Sequence, residues 1–265
     1  MAEATPFDEL AEQYDSQFTH SMTGKAQRDN VWRFLRKRIL PGSEILEVNC
    51  GTGEDALYMA GLGCQVTATD VSAAMISQCL IKISTTPVLN QPVFLTAGIG
   101  ELEPVTNGKK YDLIFSNFSG LNCLNEVELL EAARFFHSVL KPGGQVIAVL
   151  FGTNCLWEIF YFLLKGRMKD VRRRGKKGTV YAGIVDSKVP IHYYSPKNIR
   201  KLFADYFESP DVRPIGVFIP PSYLDRFFKH RNILFRILLF ADRVVRSCPC
   251  LANLADHYVI QLRKS

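Results

Sequence analysis

Long apolar stretches are missing from this sequence of 265 residues. The two longest, residues 155–164 and 233–241, are interrupted by Glu158 and Arg236. Both are shorter than the ~20 residues that a helix needs to cross a bilayer. Residues 1–5 have no basic segment ahead of an apolar one, so a secretory signal peptide is not expected. These absences predict a soluble protein rather than a membrane-spanning one.

Paired cysteines are also scarce. The seven cysteines are odd in number and scattered, and only Cys248 and Cys250 lie close together. That pair has no second pair and no histidines at the spacing of a zinc site, so neither a disulfide framework nor a metal site is expected. Free thiols favour a reducing, cytoplasmic setting.

The composition is that of an ordinary globular protein. Apolar residues make up 47% and charged residues 22% of the chain, which is enough for a substantial core. A net charge of +6 is too small by itself to indicate a nucleic-acid partner, and none is expected. The length suits a single domain over residues 1–265 that carries insertions.

A strand, a loop and a helix start at residues 45–57 are the most informative feature. An aliphatic run containing Glu47 leads into a loop with Gly51 and Gly53, and a helix is predicted directly after it. Glycine permits positive φ and close approach of the backbone to a ligand, and the free N–H groups of a helix start attract oxygen atoms. A second predicted strand ends at Asp70, where such sites place an acid on ribose hydroxyls. The pattern predicts a site for a nucleotide-type cofactor.

Two classes of cofactor fit this loop. Residues 51–56 match the G-x-G-x-x-A form of nicotinamide and flavin sites, which leaves an NAD(P)-dependent oxidoreductase open. Against that class stand Glu47, four residues before Gly51, and a Leu-Lys-Pro-Gly-Gly turn at residues 140–144.

With those features the sequence resembles the class I S-adenosylmethionine-dependent methyltransferases, of the type-11 group that acts on small molecules. The first motif of the family, an acid followed by x-Gly-x-Gly-x-Gly, corresponds to residues 47–53, and its ribose acid corresponds to Asp70. Further matches lie at residues 111–117 and 140–150 and in an opening helix at residues 7–15. The resemblance covers about residues 7–150 and implies S-adenosylmethionine as the cofactor.

The resemblance also implies which residues contact the cofactor. They are Glu47, Asn49, Gly51 and Gly53 around the methionine, Asp70 on the ribose, Val71, Met75, Gly100 and Glu101 around the adenine, Asn117 beside the sulfonium, and Tyr14 as a cap from the N-terminal helix.

Two positions depart from the family pattern. Asn49 replaces the first glycine of the loop, but asparagine tolerates left-handed φ, so the turn can survive. Ile99 stands where an acid normally accepts a hydrogen bond from adenine, which leaves Glu101 or a backbone carbonyl for that contact. These departures keep a second alternative open, namely a non-catalytic cofactor-binding protein on the same fold.

Alternating strands and helices predict an α/β fold with a mostly parallel, Rossmann-like, doubly wound sheet. The predicted strands are residues 44–48, 65–70, 92–96, 111–115, 145–150, 211–218 and 257–262. The resemblance implies the strand order 3-2-1-4-5-7-6 with the last strand antiparallel. It also implies an N-terminal helical cap at residues 1–40.

Two long segments, residues 151–192 and 219–256, leave from the predicted cofactor edge of the sheet and are expected to form a helical lid. We expect the lid to select a small-molecule acceptor, more lipophilic than polar. Residues 223–246 alternate apolar and basic residues, which predicts either peripheral contact with a membrane surface or packing on the domain. A basic run at residues 172–177 predicts a solvated loop or a contact with an anionic group.

Candidates for acid–base catalysis lie at the same edge. The topology places His192 and His257 there, with Tyr193 adjacent. A histidine suits the deprotonation of a hydroxyl acceptor, whereas a nitrogen or carbon acceptor needs no strong base. The predicted activity is therefore methyl transfer to a small molecule, with the accepting atom left open.

Overall fold

The computed structural model describes residues 5–175, 179–184, 187–228 and 230–265. The ten helices among these residues are α1 Ala11–Tyr14, α2 Met22–Leu35, α3 Glu54–Gly61, α4 Ala73–Thr85, α5 Leu102–Thr106, α6 Glu126–Val139, α7 Leu156–Leu164, α8 Pro196–Leu202, α9 Asp225–Phe228 and α10 Asn232–Val245. The strands are β1 Glu44–Val48, β2 Gln65–Asp70, β3 Val93–Thr96, β4 Tyr111–Ser116, β5 Leu140–Phe151, β6 Val180–Ile184, β7 Ser187–Ile191, β8 Phe207–Ile215 and β9 His257–Lys264.

Seven strands form one sheet in the order β3-β2-β1-β4-β5-β9-β8. The first five are parallel, and β9 runs antiparallel between β5 and β8. This is the predicted topology, and β8 and β9 are the predicted sixth and seventh strands. The carboxyl ends of β1, β2 and β4 meet at the middle of one sheet edge, where an open α/β sheet binds its ligands.

The core lies on both faces of this sheet because side chains alternate along the central strands. Leu46 and Ile114 face one layer, which includes α6 and α8. Ile45, Leu113 and Phe115 face the other layer, which includes α2, α3 and α4. All five side chains are buried, so the sheet edge that carries the site is supported by a packed core on both faces.

Serine side chains cap the starts of α4 and α8. Ser72 caps α4 by accepting a hydrogen bond from the Met75 N–H at 3.1 Å. Ser195 caps α8 in the same way, with Pro196 at the first helical position.

Other boundaries differ from the sequence prediction. The opening helix, expected at residues 7–15, is α-helical only in α1 and continues as a wider π-helical turn over Asp15–Thr19. In the helical cap expected over residues 1–40, the last helix, α2, ends at Leu35. The sixth strand starts at Phe207 rather than at residue 211, and the β6–β7 hairpin was not predicted.

The lid segments after β5 and β8 carry helices, as predicted. The first contains α7, and the second contains α9 and α10, so the single helix expected over residues 223–246 is broken. Aromatic contacts join the two segments, because Phe228 lies 5.9 Å from Trp157 and 6.0 Å from Phe235 between ring centres. Lys176, Lys177 and Lys229, which belong to the basic patterns in the sequence, lie outside the described residues. Of the helices in the described residues, none combines the length and the apolar character that crossing a bilayer requires.

Candidate functional site

The loop after β1 has the strained backbone that the sequence predicts. Asn49, Gly51 and Gly53 all have positive φ, of 59°, 54° and 75°. Asparagine therefore does take the left-handed conformation in place of the first glycine. Gly120 lies against Asn49 with no room for a Cβ, so a second backbone segment closes over the loop.

Glu47 is buried at the end of β1, with only 1% of its surface exposed. Its Oε2 atom has no hydrogen-bond partner among the described residues. Burial, with the neighbouring Asp55, raises the pKa of Glu47 well above its usual value. A buried carboxylate oxygen without a partner is costly, and a bound cation would satisfy it.

Asp70 ends β2 beside the loop, as the ribose assignment requires. Its Oδ2 accepts a hydrogen bond from the Gly51 N–H at 2.8 Å, and its Oδ1 accepts one from the Ser72 N–H at 3.0 Å. Burial raises the pKa of Asp70, and these two bonds oppose that shift. Each carboxylate oxygen has two lone pairs, so each can accept one more hydrogen bond.

The residues predicted around adenine lie at the ends of β2 and β3. Val71 is exposed and borders Gly98, whereas Met75 is buried in α4. Glu101 accepts a hydrogen bond from the Gly98 N–H at 3.0 Å and so caps its own turn, and Gly100 is open to solvent. Contact of these residues with adenine stays a prediction.

The N-terminal segment contacts the loop, and its role as a cap on the cofactor stays a prediction. A Cβ on Gly51 would be 3.9 Å from the Tyr14 ring. Burial raises the pKa of Tyr14 to about 12. Asp8 accepts a hydrogen bond from the Ser72 hydroxyl at 2.5 Å, and Asp15 contacts Lys82 at 2.8 Å. The cap is therefore fixed to the helix that follows the ribose acid.

Asp55, at the start of α3, is a buried carboxylate that connects α2 and the end of β4 to the cofactor loop. It accepts hydrogen bonds from Asn117 Nδ2 at 2.9 Å and from Trp32 Nε1 at 2.6 Å. Asn117 Oδ1 accepts from the Phe118 N–H at 2.9 Å, and Phe118 has a φ of 45°. Asn117, predicted to close the pocket, thus also holds the turn after β4.

Arg28 of α2 is a site residue that the sequence analysis missed. Its guanidinium is buried, with Nε 3.6 Å from Asp55 Oδ1 and its carbon 5.0 Å above the Phe118 ring. Within the part of the chain that the structure describes, its Nε and Nη1 atoms have no hydrogen-bond partner. The available signal was that Gln27 and Arg28 are polar residues on the face of α2 that also carries Val31, which is buried.

An aromatic cluster of Phe18, Phe118, Phe151, Tyr193 and His257 extends from the cofactor loop to the lid. Ring centres are 5.0 Å apart for Phe18 and Phe118, 5.6 Å for Phe118 and His257, 4.3 Å for His257 and Phe151, and 5.9 Å for Phe151 and Tyr193. The structure therefore brings together two of the three candidate catalytic residues. The third, His192, binds the Asn122 carbonyl through its N–H at 2.7 Å, and its ring lies 6.4 Å from that of Tyr194.

Asp256 lies behind His257 in a buried charge network. His257 Nδ1 is 3.3 Å from Asp256 Oδ2, although the angle does not make a regular hydrogen bond. Burial alone would raise the pKa of Asp256, but His257 and Arg174 outweigh it and hold that pKa below its usual value. Arg174 Nη2 contacts Asp256 at 2.7 Å and Glu158 at 2.8 Å.

The basic run therefore is not wholly a solvated loop. Arg174 is buried, and Arg173 donates two hydrogen bonds to Glu158, at 2.9 and 2.7 Å. These contacts fix the first lid segment to the start of β9. Composition and spacing gave no signal of them, because Glu158 and Asp256 are far in the sequence from the two arginines.

Comparison with known families decides the class of this site. Residues 45–144 match the family model of the methyltransferase domain. Residues 45–144 therefore form a methyltransferase domain, and the chain is similar to the class I S-adenosylmethionine-dependent methyltransferases. The methyltransferase motifs, rather than the nicotinamide pattern at residues 51–56, were therefore the correct interpretation of the loop.

Similarity to individual proteins extends beyond the matched domain. The chain is 28% identical over 226 residues to an uncharacterised protein of Methanocaldococcus jannaschii, covering 83% of this chain and 81% of the relative. It is 28% identical over 158 residues to the malonyl-[acyl-carrier protein] O-methyltransferase of Pseudescherichia vulneris, covering 60% of this chain but only 57% of that enzyme. The CcbJ methyltransferase from Streptomyces caelestis has the same fold, with a TM-score of 0.64 and 16% identity over 99% of this chain and 98% of that chain.

Proposed function

We propose that this methyltransferase transfers the methyl group of S-adenosylmethionine to a small, lipophilic acceptor held between the cofactor loop and the lid. The observation that carries the proposal is the aromatic cluster. It includes Phe118, the residue after Asn117, and it reaches the lid. Its rings provide an apolar wall beside the place where the resemblance puts the sulfonium. Such a wall favours flat or apolar acceptors over carboxylates and phosphates.

Three charged side chains fit the cofactor. The unpartnered Oε2 of Glu47 suits the ammonium of the methionine moiety, and the unpartnered Nε and Nη1 of Arg28 suit its carboxylate. Asp70 retains a free lone pair on each oxygen for the two ribose hydroxyls. When bound, S-adenosylmethionine supplies a methyl group on a positively charged sulfur. The remaining task of the protein is to align the acceptor and exclude water.

We infer that His257 is the general base when the acceptor is a hydroxyl. Its ring is buried between Phe151 and Phe118. Asp256 lies next to Nδ1. When the ring is neutral, this carboxylate favours the tautomer that carries the proton on Nδ1. The lone pair on Nε2 would then be available to take the proton of the acceptor hydroxyl. The relative from P. vulneris is named as an O-methyltransferase, which agrees with an oxygen acceptor.

The acceptor class is tested with S-adenosylmethionine carrying a labelled methyl group. Two sets of acceptors are compared. The apolar set contains alkylated phenols and quinols, and the acidic set contains hydroxy acids of similar size. We expect transfer to the apolar set, and we expect Phe118→Ala to lower kcat/KM about tenfold or more with unchanged calorimetric affinity for the cofactor. Phe227→Ala, an exposed aromatic outside the cluster, is the control. A preference for the hydroxy acids would overturn the proposal.

The base is tested separately by the pH profile of kcat/KM with an oxygen acceptor. His257→Asn should reduce the rate about a hundredfold or more and abolish the limb that rises with pH. His20→Asn, at an exposed histidine, serves as the control. An unchanged profile in His257→Asn would remove this residue from the mechanism.

We also propose that the protein works in a reducing, cytoplasmic compartment, since all seven cysteines are free and four of them are buried. Alkylation of thiols during cell lysis, followed by mass spectrometry of the intact protein, should find every cysteine modified after unfolding. A disulfide in that experiment would contradict the proposal.

A further inference from the structure

The outward face of α10 is apolar. Ile233, Ile237, Phe240 and Val244 recur at the spacing of one helical face, and each is between 58% and 78% exposed. Phe235 and Asp242 lie on the opposite face and are buried. The apolar stripe of residues 233, 237, 240 and 244 therefore does not pack on the domain, which was one of the two possibilities that the sequence left open.

This orientation is fixed by a buried carboxylate. Asp242 accepts hydrogen bonds from Asn30 Nδ2 at 2.8 Å and from the Phe218 N–H at 3.0 Å. Rotating the stripe inward would break both bonds and bring Asp242 to the surface. The helix thus presents its apolar stripe outward although burying it would remove more apolar surface from water.

A second apolar face lies on the neighbouring lid helix. In α7, Leu156, Phe160 and Leu164 recur at a spacing of four residues, and all three are exposed. Phe228 connects α7 with α10 through its contacts with Trp157 and Phe235. Exposed apolar residues are ordinary when single, but contiguous sets of them mark interaction sites.

Basic residues border the α10 stripe. Arg236 and Arg243, seven residues apart on α10, are exposed. With Lys25 and Arg33 of α2 they line a cavity of about 370 Å³ between the two helices, in which Asp29 is the acidic residue. A cavity with this excess of cations suits phosphate groups.

We propose that α10 lies in the surface of an anionic phospholipid bilayer, with its apolar stripe among the acyl chains and Arg236 and Arg243 at the headgroup phosphates. An apolar stripe bordered by arginines is the composition of interfacial helices, and anionic leaflets attract such segments. A second copy of the chain is the less suitable occupant, because a two-fold interface across α10 would bring arginines of both copies together. The proposal does not depend on the nature of the methyl acceptor.

The experiment is sedimentation of the full-length protein with vesicles of phosphatidylcholine, with and without phosphatidylserine. We expect binding that requires phosphatidylserine. The double variant I237D/F240D should lose about tenfold or more in partition coefficient, because charges in the stripe oppose insertion. L40D/V127D makes the same change of charge at exposed apolar positions outside the lid and should bind like the wild type.

The arginines are tested by a second matched pair. R236Q/R243Q should lower binding to the anionic vesicles about tenfold or more, whereas K197Q/K201Q on α8 removes the same charge and should have little effect. Calorimetric affinity for S-adenosylmethionine should be unchanged in all four variants, which shows that they are folded. Equal binding to neutral vesicles, or I237D/F240D binding like the wild type, would overturn the proposal. So would light scattering that finds a dimer which I237D/F240D dissociates.

Discussion

Replacing Glu47 by glutamine should change the free energy of unfolding and the affinity for S-adenosylmethionine in opposite directions. Without the cofactor, the buried Glu47 carboxylate has one oxygen without a partner and a pKa raised by burial and by Asp55. Glutamine has nearly the same shape and carries no charge. The cofactor-free variant should therefore be the more stable protein above the ordinary pKa of a glutamate.

The magnitude follows from proton linkage. Between the unfolded-state pKa of about 4.3 and the raised pKa of the folded state, Glu47 is ionised in the unfolded chain and protonated in the fold. The unfolded state then binds fewer protons, so the wild type loses about 1.4 kcal/mol of stability per pH unit. The contribution of Glu47 to the free energy of unfolding is fully present below the unfolded-state pKa and is lost as pH rises to the folded-state pKa. The variant lacks this loss, and the difference becomes constant above the folded-state pKa.

Cofactor affinity should fall in the same variant. A hydrogen bond to a charged group contributes about 1.5–3 kcal/mol, against about 0.5–1.5 kcal/mol for a neutral one. Replacing the carboxylate opposite the ammonium should therefore weaken binding by about 1.4 kcal/mol, or roughly tenfold.

Two assays on the same two proteins measure these effects. Urea unfolding of the cofactor-free wild type and of Glu47→Gln, from about pH 5 to about pH 8, gives the difference in stability at each pH. Titration calorimetry gives the affinity for S-adenosylmethionine. A stability difference that does not change with pH would refute the burial argument, and an unchanged affinity would remove Glu47 from the methionine pocket.

Three further substitutions address the cofactor loop. Asp70→Ala should weaken cofactor binding more than about tenfold by calorimetry, since two charge-assisted hydrogen bonds of about 1.5–3 kcal/mol each are lost; unchanged affinity would reject the ribose assignment. Asn49→Ala should lower the free energy of unfolding by about 1 kcal/mol because alanine tolerates positive φ poorly, whereas Asn49→Gly should be nearly neutral; equal denaturation midpoints would contradict this. Gly53→Ala should lower the free energy of unfolding by about 2–4 kcal/mol, because its Cβ would lie 2.8 Å from Phe94. Gly143 has a similar φ but open space around it, so Gly143→Ala should lower the free energy of unfolding by only about 1 kcal/mol. Equal losses of stability in the two variants would show that the structure relieves the clash at Gly53.

The sheet could be predicted from the sequence because its determinants are local. Alternating or continuous apolar runs ending at turns gave the strands, and the family motifs gave their order. The positive φ of Asn49 followed from the side-chain chemistry of a single residue.

Other parts of the site depend on contacts between distant residues. Arg28 is separated from Asp55 by a strand and a loop, and Arg174 is 82 residues from Asp256, so no local pattern pairs them. The opening helix is interrupted where Asp15 pairs with Thr52 and Lys82, a tertiary contact that helical periodicity does not contain. The orientation of α10 likewise depends on one buried carboxylate.

The attachment of the N-terminal segment bears on the rate of turnover. Asp8 on Ser72 and Asp15 on Lys82 hold Tyr14 over the proposed methionine pocket. With Tyr14 in that position, we expect release of the demethylated cofactor to require movement of the N-terminal segment, and this movement to contribute to kcat. Because the Asp15–Lys82 contact is a partly exposed ion pair, added salt should weaken it and speed turnover, while the affinity for fresh cofactor falls.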